Sequence, residues 1–117
     1  EIFKKALENL KFEGRIAYTY LTSEDLKKCG ATSKDLDGIV EYILNIKDME
    51  ISAFIYEKDE NLCKISLRSK SADVNKIASI FDGGGHMLAA GASIKGDLNS
   101  VISYVLTEIK KELKSDE

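Results

Sequence analysis

The residues best placed to do chemistry lie in one stretch, Phe81-Asp82-Gly83-Gly84-Gly85-His86-Met87-Leu88-Ala89-Ala90-Gly91. There, three consecutive glycines precede the only histidine of the chain. Glycine carries no side chain and reaches backbone angles closed to other residues, so a triple glycine can bring bare amides against a ligand. If His86 opens a helical turn, those amides lie at a helix N-terminus, where donors and dipole both favour an anion. An imidazole beside them can donate to a phosphate oxygen. On this reading Gly83, Gly84, Gly85 and His86 form a phosphate cradle. The competing reading is a helix terminator followed by a flexible loop, with His86 a surface or capping residue.

Arg68 is the second candidate. In the stretch Leu62–Ser69, Cys63, Ile65 and Leu67 alternate with Lys64, Ser66 and Arg68, the pattern of a strand with one apolar and one polar face. An arginine at a strand end is stiffer than one on a loop, and its planar fork suits phosphate or carboxylate. Taken alone, it reads better as a surface arginine paired with a nearby acid. Ser69 and Lys70 follow it.

Other chemistry is excluded by what the chain lacks. Metal-assisted phosphoryl transfer needs clustered carboxylate and histidine ligands. A single histidine, with no His/Asp group at ligand-like spacing, cannot supply them. No residue is assigned as catalytic or metal-binding, and no cofactor is expected on this stretch. Cys29 and Cys63 have neither metal spacing nor a disulfide-rich context, and read as reduced thiols of a cytoplasmic protein. A net charge of -3 argues against a general polyanion binder, so any nucleic-acid contact must be local and the ligand short.

The elements that must position these residues follow from periodicity. Phe3, Ala6, Leu7 and Leu10 mark a helix over 2–10, and Arg15–Leu21 alternates as an interior strand. Thr22-Ser23-Glu24-Asp25 and Thr32-Ser33-Lys34-Asp35 are two helix starts, the second leading into the stripe Leu36, Ile39, Val40, Ile43 and Leu44. On that helix Asp37 and Glu41 read as a solvated face. Strands over 49–57 and 62–69 are joined by a polar turn as a hairpin. Asp73 caps a helix carrying Val74, Ile77, Ala78 and Phe81 into the glycine stretch, which is read as a loop. Ala92–Lys95 is a short strand near a sheet edge, and Leu98 to Leu113 is a closing helix. The 117 residues, 44% hydrophobic and 32% charged, predict a single α/β domain with a mixed four- to five-stranded sheet flanked by helices. No segment has the length or character of a membrane span or a signal peptide. Because the chain opens on Glu1, it is expected to be a piece of a longer one.

Taken together, Ser66-Leu67-Arg68-Ser69, Asp73 to Ala78, Gly83-Gly84-Gly85-His86 and Ala89-Ala90-Gly91 resemble the C-terminal DHH-associated domain of the DHH phosphoesterases. The similarity is greatest to the RecJ-like subfamily of oligoribonucleases (nanoRNases) that also dephosphorylate 3'-phosphoadenosine 5'-phosphate. It extends through Tyr18-Thr19-Tyr20 and Asp37-Gly38-Ile39-Val40 and covers most of the chain. The resemblance implies that residues 1–117 are a substrate-binding domain. Arg68, Gly83, Gly84, Gly85 and His86 match positions that contact short RNA or a nucleotide phosphate, with Ser69 a weaker candidate. It also implies that hydrolysis belongs to an N-terminal DHH domain of the same chain carrying manganese, so this fragment alone is expected to be inactive. Asp82 departs from the family pattern, which often has a fourth glycine there. The alternative is a nucleic-acid-binding C-terminal module of another enzyme, as in alanyl-tRNA synthetases.

Overall fold

In the computed structural model, which describes residues 1–115, eleven elements follow one another. They are α1 (Ile2–Glu8), β1 (Lys11–Glu13), β2 (Ile16–Leu21), α2 (Ser23–Cys29), α3 (Ser33–Leu44), β3 (Ile51–Asp59), β4 (Leu62–Ser69), α4 (Val74–Ile80), β5 (Gly84–His86), β6 (Ala89–Lys95) and α5 (Leu98–Ser115). The strands form one sheet in the order β1-β2-β3-β4-β6-β5. Only β2 and β3 run parallel, and the crossover between them carries α2 and α3. The sheet is therefore mixed, as expected, but has six strands rather than four or five. The additions, β1 and β5, are three residues each and too short to show a period.

Both helix starts in the crossover are capping boxes. Thr22 accepts from the Asp25 amide while the Asp25 carboxylate accepts from the Thr22 amide, and Thr32 and Asp35 repeat the arrangement. Each satisfies two amides that the first helical turn leaves without partners.

The alternation along β3 and β4 decides what lies on each side of the sheet. Ile51, Ala53, Ile55, Cys63, Ile65 and Leu67 pack with Val74, Ile77 and Ala78 of α4 and Val101, Val105 and Ile109 of α5. The opposite face holds Phe54 and Leu21 against Ile2 and Ala6 of α1 and Leu36, Ile39 and Val40 of α3. Two hydroxyls are buried on that second face, Ser52 donating to the Val40 carbonyl (2.8 Å) and Thr19 to that of Ala6. Helices α1, α2 and α3 cover β2, β3 and β4 there, but β6 lies outside their cover, with Ser93 and Lys95 exposed.

The turn from β4 into α4 is clamped by Glu50. Its Oε2 accepts from the amides of Ser71 (2.8 Å) and Ala72 (3.0 Å) and from the hydroxyls of Ser71 (2.8 Å) and Ser69 (3.3 Å). Partial burial pushes the Glu50 carboxyl up, but the bonds from Ser71, Ala72 and Ser69 outweigh it and hold the group below its ordinary value. A carboxyl depressed in the folded state adds stability that is complete above the ordinary carboxylate range. That stability is lost as pH falls through the folded-state value. Glu50→Ala is expected to cost about 1–3 kcal/mol at neutral pH. In urea unfolding, the gap between wild type and variant is expected to shrink steadily as pH is lowered toward 3.

Candidate nucleic-acid interface

Hydrogen bonds around α4 decide what the glycine stretch becomes. The Gly83 amide donates to the Ala78 carbonyl (2.9 Å) and the Asp82 amide to that of Ser79 (3.1 Å), while Asp82 adopts φ 62°. These two bonds with one left-handed residue constitute a Schellman ending. The chain then enters β5, antiparallel to β6, with Gly84 opposite Gly91, Gly85 opposite Ala90 and His86 opposite Ala89. His86 therefore closes an edge strand and does not open a helical turn, which corrects the arrangement considered from the sequence. The glycines follow directly on the C-terminus of α4, whose dipole disfavours an anion.

The glycines divide by role. A Cβ at Gly83 would lie 2.2 Å from the Gly91 carbonyl oxygen and 2.5 Å from the Ala92 Cβ. One at Gly85, which has φ 150°, would lie 2.6 Å from the Ala89 carbonyl oxygen. Both positions need glycine so that the edge strand can lie close against β6. Gly84 is different, because a Cβ there would meet only Asn75 Oδ1 at 3.6 Å, an ordinary contact. With the Gly83 amide committed to the helix ending, the amides left for a ligand belong to the outer edge of β5. A strand paired on one side only directs alternate amides away from the sheet.

The sheet register brings the two basic candidates together. Arg68 on β4 is opposite Ala89 on β6, and Ala89 is opposite His86 on β5. Directly opposed residues of antiparallel strands project to the same face. The backbones of Arg68 and His86 thus fall in one row, two strand spacings or about 10 Å apart, with Ala89 between them. In the next row Ser66 is opposite Gly91, so little side-chain bulk rises from the strands there. Arg68 is held rather than free. Its Nε donates to Glu41 Oε1 (3.1 Å) and its Nη1 to the Leu67 carbonyl (3.0 Å), which leaves the remaining N–H groups of the fork uncommitted. His86 is exposed.

Ser69 does not join this row. It follows Arg68 on β4, so its side chain falls on the opposite face, where it is buried and donates to Glu50. Its amide donates to the Leu88 carbonyl (3.0 Å), and the Val74 amide donates to that of Met87 (2.8 Å). These bonds fix the turn between β5 and β6, so Ser69 acts on the site through the backbone that carries His86. Glu41 was read as a solvated position, and the α3 periodicity gave no sign that it would reach β4. Among the described residues no group of three or more His, Cys, Asp or Glu side chains could hold a metal ion.

The αL geometry at Asp82 explains why glycine suits that position: a side chain strains there and glycine does not. Asp82→Gly is expected to stabilise the chain by about 0.5–1 kcal/mol in urea unfolding. Gly83→Ala and Gly85→Ala are expected to destabilise it by about 1–3 kcal/mol, because the added methyl meets backbone that cannot yield.

Comparison with known proteins gives four matches of different depth. Residues 13–115 match the DHHA1 domain. The chain is 34% identical over 110 residues to the bifunctional oligoribonuclease and PAP phosphatase NrnA of Mycoplasma genitalium, covering 92% of this chain and 34% of that protein. An exopolyphosphatase-related protein from Bacteroides fragilis superposes with a TM-score of 0.80 at 29% identity, covering 97% of this chain and 33% of that one. The C-Ala domain of Aquifex aeolicus alanyl-tRNA synthetase shares the fold at a TM-score of 0.56 and 12% identity, over 86% of this chain and 96% of that domain. The chain spans 26% to 34% of the length of the first curated relatives it matches.

Proposed function

The chain belongs to the DHHA1 domain family, and on that premise we propose that it grips the substrate of a metal-dependent DHH phosphoesterase. The substrate class is short RNA or a nucleotide phosphate, and the hydrolytic metal centre lies in an N-terminal DHH domain of the same protein. One observation supports this reading above the others: the register that sets Arg68 and His86 in a single row with Ala89 between them.

The row suits an anion in a defined pose. The guanidinium, fixed by Glu41 and by the Leu67 carbonyl, presents its remaining donors without having to be ordered on binding. The imidazole offers a second donor across Ala89, and the outward amides of β5 add uncharged donors at the edge. Holding the phosphate at fixed points is what a positioning domain contributes, since orientation alone can lower the barrier for a reaction performed elsewhere. Residues of this chain do not fit the manganese that such hydrolysis uses. The donor set has one histidine, and no acidic cluster lies beside it. The relatives named NrnA are bifunctional oligoribonuclease and PAP phosphatase proteins, which agrees with a nucleotide-phosphate ligand.

Arg68→Ala and His86→Ala are each expected to weaken binding of a short oligoribonucleotide by about 1–3 kcal/mol, read by titration calorimetry. Glu41→Gln is expected to have a smaller effect in the same direction. In an NMR titration the largest amide shifts should fall on Arg68, Gly84, Gly85 and His86. Shifts confined to α1 and α2 would overturn the assignment. Residues 1–117 incubated with manganese and oligoribonucleotide are expected to release no product, and chelator-sensitive turnover would refute the division of labour.

A further inference from the structure

Beyond the Arg68 row, the same side of the sheet carries two more cations. Lys64 lies on β4 four residues before Arg68 and on the same face, a separation of about 14 Å along an extended strand. It is opposite Ser93 of β6, and Lys95 follows two residues later on that strand's same face. Neither lysine side chain forms an ion pair or hydrogen bond among the described residues. Both line a cavity of about 880 Å³ that also includes Ser66, Gly91 and Ser93. Ser66 and Gly91 adjoin the Arg68 row in the register, so the cavity begins one row away from Arg68. Asp37 of α3 and Asp82 at the end of α4 also line it. Their charges confine an anion to the side of the cavity formed by β4 and β6.

We propose that Lys64 and Lys95 form a second anion anchor, which takes a further phosphate of an oligonucleotide whose terminal group is held at Arg68 and His86. The inference rests on the function proposed above and adds a length preference to it. A mononucleotide gripped at Arg68 does not reach Lys64. A fragment with about three phosphates spans the distance between anchors, and each lysine adds Coulomb attraction that salt screens. Ser66, Gly91 and Ser93 between the anchors leave room for an extended backbone to lie against the strands.

The experiment measures affinity of residues 1–117 for adenosine 5'-monophosphate and for a 5'-phosphorylated triadenylate, across a range of salt concentrations. Lys64→Ala/Lys95→Ala is expected to weaken the triadenylate by about tenfold and flatten its salt dependence by about one unit of slope, with the mononucleotide unchanged. Lys64→Arg/Lys95→Arg, which keeps both charges, is expected to retain triadenylate affinity. Equal loss for both ligands, or no loss for the triadenylate, would overturn the second anchor. Arg68→Ala separates the two ideas. If it weakens both ligands while the lysine variants do not discriminate, the second anchor alone fails. If it weakens neither, the phosphate-gripping role itself fails.

Discussion

The alignment of β4, β6 and β5 is the constraint on which the site depends. Arg68 and His86 are 18 positions apart in sequence, and α4 lies between them. They meet because β6 enters antiparallel to both neighbours in one fixed register. A slip by one residue would turn His86 to the far side of the sheet. The bonds that prevent a slip are modest singly: the Ser69 and Val74 amides to the turn at Met87 and Leu88, and the Glu50 carboxylate gathering the turn after Ser69. They act together because each ties a different element to the same corner.

Close backbone approach supplies the other half of the arrangement. The methyl-sized clashes that side chains would create at Gly83 and Gly85 show how tightly the edge strand lies on β6. Glycine here serves packing first. What reaches a ligand is what the packing leaves over: the outer amides of β5, the open position at Gly84 and the two cationic side chains. The glycine stretch ends one helix and opens none, and the charge of Arg68, oriented by Glu41, has to carry more of the attraction.

Much of this was legible in the sequence, for physical reasons that can be named. The polar and apolar faces of β4 alternate strictly, so the sequence alone sets Lys64, Ser66 and Arg68 on one face. The threonine–aspartate spacings at Thr22 and Thr32 announce their helices because the capping chemistry is local. The glycine stretch was misread as a loop because three residues without side chains carry no period, and the strand they form is dictated by β6. Ser69, a candidate through the resemblance, projects to the face opposite Arg68, because neighbours on a strand face opposite ways. Glu41 and Glu50 make contacts 27 and 19 residues distant in sequence, which periodicity cannot reveal. The resemblance to DHH-associated domains identified the family from motifs that are themselves spread over three strands and a helix.

The mismatch in length between β5 and β6 has one more consequence. β5 pairs with β6 only from Ala89 to Gly91, so the outer rim of Ala92 to Lys95 is left without a strand beside it. Bare strand rims invite copies of a protein to zip onto one another, and a charged side chain at such a rim opposes it. Lys95 occupies that position, where its charge opposes pairing of another strand along this rim.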